Sequence, residues 1–191
     1  MTSARYEAPS FETANDLLRA YAAATGRPIG VPIDVDAIAE FLKVRVEEDA
    51  SLELDDTVGQ IGFKGDQAVV SINPVQNSYE PRRRFTLAHE LGHFCLHADK
   101  IQLGFKDSKK TMSRSLSYWD AKESEANTFA AQLLMPKELL IKYGQQIIDA
   151  YKASNGVSSM PLKEFLQRIS SRFAVSNKAM EYRLKNLGII K

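Results

Sequence analysis

One decapeptide limits this chain more than any other stretch. It is Arg84-Phe-Thr-Leu-Ala-His-Glu-Leu-Gly-His93, and it contains His89-Glu90-Leu91-Gly92-His93, an H-E-x-x-H arrangement. On an α-helix, residues four apart differ by about 40° in azimuth and about 6 Å along the axis, so His89 and His93 share a face. Two imidazoles so placed can meet one Zn²⁺ at about 2.0–2.1 Å. Glu90, the next residue round the helix, can reach a water held there without being a ligand itself. Pro81 suits the first turn of such a helix. Leu87, Leu91, Phe94 and Ala98 recur on the side away from the histidines, while Ala88, Gly92 and Cys95 add small residues, as a helix buried on most of its circumference needs.

His97 extends the spacing by one more turn. Three ligands along one straight helix cannot surround a tetrahedral ion, and no glycine breaks the helix between His93 and His97. His97 therefore reads as a helix-end or supporting histidine rather than a ligand. Two histidines still leave the site short of a third protein ligand, which a carboxylate from a neighbouring helix can supply. Residues 119–136 read as that helix, buried through Ala126, Phe129, Ala130, Leu133 and Leu134 and ended by Pro136. Glu123 is the favoured ligand and Glu125 the alternative. Asn127, one turn beyond Glu123, is placed to hydrogen-bond a ligand histidine.

The rest of the chain reads as mixed α+β, a small antiparallel sheet packed on helices. Residues 10–25 form a helix with Ser10 as N-cap, and a shorter helix starts at Asp34. Residues 43–47 alternate as a half-buried strand, and the acidic run 47–56 reads as a solvated loop without an EF-hand's spacing. Residues 58–63 and 67–72 form a β-hairpin, with Gly59 and Gly62 marking a bulge. The strand at 68–72 is expected to be a sheet edge that receives substrate by β-addition. Polar residues 99–118 make an unusually long connection. Tyr79, Tyr118 and Arg82, Arg83 and Arg84 are near enough in sequence to assist a metal. A helix follows at 137–152. Residues 161–188 then outline a helix-turn-helix, with a turn at Ala174-Val175-Ser176 and a stop at Gly188.

Composition narrows the partners. The net charge of +1 does not favour nucleic acid, although Arg172, Lys178, Arg183 and Lys185 within 161–188 could meet phosphates. The single cysteine, Cys95, excludes an internal disulfide, suits a reducing compartment and reads as a small core residue rather than a reactive thiol. The first ten residues hold no apolar signal core, and no segment approaches the ~18 apolar residues of a membrane span, so the expectation is a cytoplasmic protein.

Three stretches together resemble the ImmA/IrrE family of metallopeptidases: Arg82-Arg-Arg-Phe-Thr-Leu-Ala-His-Glu-Leu-Gly-His93, Glu123-Ser-Glu-Ala-Asn-Thr-Phe-Ala-Ala-Gln-Leu-Leu-Met-Pro136, and Val175-Ser-Asn-Lys-Ala-Met-Glu-Tyr-Arg-Leu-Lys-Asn-Leu-Gly188. The resemblance implies a zincin-like catalytic domain and a helix-turn-helix-like segment. The expected division is an N-terminal helix at 1–30, the catalytic domain at 31–152 and the C-terminal segment at 153–191. It also implies His89, His93 and Glu123 as Zn²⁺ ligands, Glu90 as catalytic glutamate, and a Cro/cI-type helix-turn-helix repressor as the protein cut. Two other classes fit the same residues: a zinc-dependent regulator that binds its repressor without cutting it, and a DNA-binding regulator with a structural metal.

Overall fold

Caps mark where the helices begin. In the computed structural model, which describes residues 11–97, 105–108 and 119–191, helix α1 (Ala14–Thr25) starts after Thr13, whose side chain accepts a hydrogen bond from Asp16 N at 3.2 Å. The expected cap, Ser10, lies outside the described residues, and Thr13 takes the role closer to the apolar face. Helix α2 (Val35–Phe41) begins as its sequence indicates, with Asp34 accepting from Ala37 N at 3.0 Å. Strand β1 (Arg45–Glu48) leads through a 3₁₀ turn (Ala50–Asp55) into β2 (Thr57–Lys64), β3 (Gln67–Ile72), helix α3 (Glu80–Leu96) and β4 (Phe105–Ser108). Helices α4 (Trp119–Leu134), α5 (Lys137–Asn155), α6 (Leu162–Phe173) and α7 (Asn177–Asn186) complete the mixed α+β fold.

The sheet runs in the order β1-β3-β2-β4. Lys64 pairs with Gln67 across the hairpin, and Gly65, at φ 62°, supplies the left-handed residue that so short a turn needs. On its other side β3 is joined in parallel by β1, with Arg45 opposite Val69 and Glu48 opposite Ile72. The expectation that residues 68–72 form an edge open to substrate is thus wrong, since both edges are paired. The physical sign was present in Ala-Val-Val-Ser-Ile, all buried: a near-continuous apolar run marks a central strand, whereas an edge strand alternates. Strand β4 pairs with β2 and ends the sheet among the described residues, with a shift of register between Thr57 and Gly59 that realises the expected bulge. The connection at 99–118 therefore contains a strand, and its remaining residues lie outside those described.

The acidic run also departs from a plain solvated loop. Glu53 accepts from Asn73 Nδ2 at 2.8 Å and Gln76 Nε2 at 3.1 Å, and Asp56 accepts from Gln76 Nε2 at 2.9 Å. These bonds fasten the 3₁₀ turn to the loop that feeds α3.

Helix α3 lies at the centre. Leu87, Leu91 and Phe94 are fully buried in a cluster that draws on Leu17 of α1, Ile38 of α2, Ile61 of β2, Val70 of β3, Leu133 of α4, Phe173 of α6 and Leu184 of α7. Its contact with α4 is especially close. A Cβ on Gly92 would stand 3.2 Å from both Cα and O of Ala126 and 3.3 Å from Phe129 Cβ, so the absent side chain lets the helix backbones approach. Gly92→Val is expected to destabilise the fold by about 1–3 kcal/mol through overpacking against backbone atoms that cannot turn aside, measured as a lower midpoint in urea.

Candidate metal centre

The α3–α4 contact decides what meets what. His89, Glu90 and His93 are fully buried on α3, and Glu123, one turn before Ala126 on α4, is buried beside them. His89 Nε2 and His93 Nε2 are 3.0 Å apart. Glu123 Oε2 lies 3.3 Å from His89 Nε2, and its Oε1 lies 3.2 Å from His93 Nε2. His89, His93 and Glu123 are the group, among the described residues, whose ligand atoms converge closely enough to hold one ion.

Two observations show that the residues fit a divalent metal. Bonds of about 2.0–2.1 Å in a tetrahedron put ligand atoms about 3.3–3.4 Å apart, close to the edges of this triangle. Two carboxylates, Glu90 and Glu123, are also buried together beside imidazoles, an arrangement whose desolvation is costly without compensating positive charge. With both imidazoles neutral, a divalent cation cancels that charge.

His97 ends α3 as expected, its backbone N–H donating to His93 O at 2.8 Å. Its ring adds a second connection. His97 Nδ1 lies 3.2 Å from His93 Nδ1, and His97 Nε2 lies 2.9 Å from Glu125 Oε2. One assignment of protons satisfies the whole chain: His93 Nδ1–H donates to His97 Nδ1, and His97 Nε2–H donates to Glu125. That requires a neutral His97, in keeping with burial, which pushes its pKa down against the opposing pull of Glu125. His93 Nε2 is then left with its lone pair facing the site. Glu125 consequently reaches His97 rather than the histidine pair, and its side chain is 60% exposed. Asn127 is half-buried one turn past Glu123; the outer nitrogen of the His93 ring pairs with His97.

Of the three neighbouring arginines, Arg82 is exposed and the other two are occupied elsewhere. Arg83 forms a two-pronged pair with Asp36, at 3.0 and 2.9 Å, which raises its pKa. Buried Arg84 donates to Ile33 O at 2.7 Å and Ala174 O at 3.2 Å. Tyr79 is exposed at the start of α3, and Tyr118 lies outside the described residues. Sequence reasoning missed a different group. Thr86 Oγ1 donates to Asn77 Oδ1 at 2.7 Å, while Asn77 Nδ2 donates to Val58 O at 2.9 Å and Asn73 O at 2.8 Å. Thr86 sits four residues before Glu90, hence on its face of the helix, and that spacing was the available signal.

The geometry describes a peptidase-like centre, with paired histidines, a carboxylate from a crossing helix, and a further glutamate beside them. Residues 36–185, from within α2 to within α7, match the M78 peptidase family, described as the IrrE N-terminal-like domain. Since the match spans most of the chain, the protein belongs to this family, the ImmA/IrrE metallopeptidases. No curated protein is significantly similar to the chain. No helix among the described residues is long and apolar enough to cross a membrane.

Two measurements check the site's surroundings. His97→Ala is expected to lower affinity for Zn²⁺ by about 10–100-fold in a chelator competition, because it frees the His93 ring to turn, with a smaller loss for Glu125→Gln. Burial pushes the Cys95 thiol up to about 12, so at pH 8 only about one part in ten thousand is thiolate. A thiol-specific disulfide reagent should therefore leave Cys95 unlabelled in the folded protein and label it fully in denaturant.

Proposed function

We propose that the protein is a zinc-dependent endopeptidase that cuts a partner repressor of the Cro/cI helix-turn-helix type, relieving repression of stress, phage or mobile-element genes. The observation that carries the proposal is the buried triangle of His89, His93 and Glu123, with edges of 3.0 to 3.3 Å. His89, His93 and Glu123 would hold the ion, with Asn127 as a supporting residue. When bound, Zn²⁺ would polarise a peptide carbonyl and make a neighbouring water acidic at neutral pH. Glu90 would take a proton from that water as its oxygen bonds to the carbonyl carbon, then return it to the leaving nitrogen as the C–N bond breaks. His97 would hold the His93 ring in orientation through its outer nitrogen. Because β2 lies against Glu90 and β4, next to β2, ends the sheet among the described residues, an extended substrate would run along the β4 side.

The C-terminal helices are read as packing or repressor-contacting elements rather than as DNA readers. Arg183 donates to Met135 O at 3.2 Å, Lys185 pairs with Glu181 at 2.8 Å, and Arg172 stacks 4.2 Å from the Tyr143 ring centre. These engagements leave Arg172, Arg183 and Lys185 less available to phosphates, and a cytoplasmic setting suits a repressor-directed enzyme.

The test is incubation with a small helix-turn-helix repressor, sought first among the genes that neighbour this one. Wild type should yield discrete fragments, chelator should stop cleavage, and added Zn²⁺ should restore it. Glu90→Gln should retain stoichiometric zinc yet lose about 10²–10⁴-fold in rate, whereas Glu123→Ala should lose the zinc as well. Binding of intact repressor, with equal effect from wild type and Glu90→Gln, would replace the peptidase reading with the non-cleaving regulator.

A further inference from the structure

Gly59 sits in β2 where the strand crosses the helix that carries Glu90. Its backbone is not left-handed; among the described residues the glycines at positive φ are 26, 65, 156 and 188, so conformation does not call for glycine here. Space does. A Cβ at residue 59 would stand 2.6 Å from Thr86 Cγ2 and 2.9 Å from Glu90 Oε1, whereas a Cβ at Gly62 of the same strand would meet nothing within 4 Å. We infer that Gly59 is a positioning residue for the proposed proton-transfer group: its missing methyl leaves the room that the Glu90 carboxylate shares with the Thr86 methyl. This rests on the reading of Glu90 given above.

The strand cannot retreat to make that room. Gly59 is buried and paired on both sides, opposite Ile72 of β3 and Asp107 of β4. The Asn77 side chain holds the preceding residue, Val58, to the loop before α3 and to Thr86. Thr86 in turn cannot swing its methyl aside cheaply, because rotation about χ1 would also carry Oγ1 away from Asn77 Oδ1. The carboxylate of Glu90 is the far end of a longer, more adaptable side chain. An added methyl would therefore strain the fixed strand–helix contact at Thr86 Cγ2, 2.6 Å away, and push the movable carboxylate aside at its second contact, 2.9 Å away; a misplacement of about 1 Å at a reacting group costs on the order of 10²-fold in rate. The glycine thus acts on the position of Glu90 and leaves the three proposed ligands untouched.

The experiment compares Gly59→Ala, Thr86→Ser, the Gly59→Ala/Thr86→Ser double variant and Gly62→Ala, each zinc-loaded. Thr86→Ser removes the methyl that an alanine at 59 would strike and keeps the hydroxyl that bonds Asn77. Gly62→Ala should match wild type in Tm and kcat. Gly59→Ala should lower Tm and reduce kcat by about tenfold or more on the cleaved repressor, with KM and Zn²⁺ affinity within about threefold of wild type. In the double variant Tm should return to the Thr86→Ser value while kcat stays low. Recovery of kcat together with Tm would overturn the inference by reducing Gly59 to strand–helix packing, and so would a wild-type kcat in Gly59→Ala. A crystal structure of zinc-loaded Gly59→Ala gives a readout independent of turnover. Glu90 Oε1 displaced from residue 59 supports the inference and an unmoved carboxylate refutes it. If wild type cuts no repressor, the peptidase reading fails, and the crystallographic result still decides the role of Gly59.

Discussion

The close passage of α3 over α4 at Gly92 and Ala126 is the constraint on which the rest depends. A histidine pair on one helix is only half a binding site, and what completes it is the distance at which a second helix can run. With no side chain at 92, the backbones come near enough for Glu123 to stand within 3.3 Å of an imidazole nitrogen. The sheet then closes the opposite flank, with Gly59 allowing β2 to press on Glu90 as Gly92 allows α4 to press on the histidines. Two glycines on different elements thus define the space in which buried charge is gathered.

Buried charge explains why the surroundings are so heavily cross-linked by hydrogen bonds. Two carboxylates and two imidazoles removed from water would rearrange unless their positions were imposed from outside. The imposition comes through side chains that bond backbone carbonyls or one another. Asn77 holds β2 and Thr86, His97 holds His93, and Arg84 holds the segments at Ile33 and Ala174. Each is buried, and each spends its polar groups on orientation.

Much of this was legible in the chain itself, for local reasons. The H-E-x-x-H spacing shows its shared face without tertiary information, and Asp34 and Ser176 announce their helices because an N-cap works within three residues. Glu123 could be preferred to Glu125 from sequence, although separating them required knowing which side of α4 faces α3. The errors share one cause, dependence on partners distant in sequence. Strand β3 looked like an edge because β1 joins it across an intervening hairpin, and residues 105–108 looked like loop because their pairing with β2 has little local signature. The acidic run looked solvated because its acceptors, Glu53 and Asp56, find donors about twenty positions away. Helix spacing was enough to keep His97 out of the expected ligand set, but its bond to Glu125 depends on how the two helices cross.

Arg84 carries one more implication. Its guanidinium is buried near the start of the histidine helix, and burial pulls its pKa down, yet it stays a cation whose donors end on two carbonyls, one ahead of α2 and one in the turn between α6 and α7. The Ala174 carbonyl that receives it belongs to a residue in the left-handed conformation, at φ 51°. The tail of the chain is therefore keyed into the root of the histidine helix by a single charged peg. Any partner that grasped α6 and α7 and shifted them would pull on that peg, and the tug would arrive fewer than two helical turns from His89.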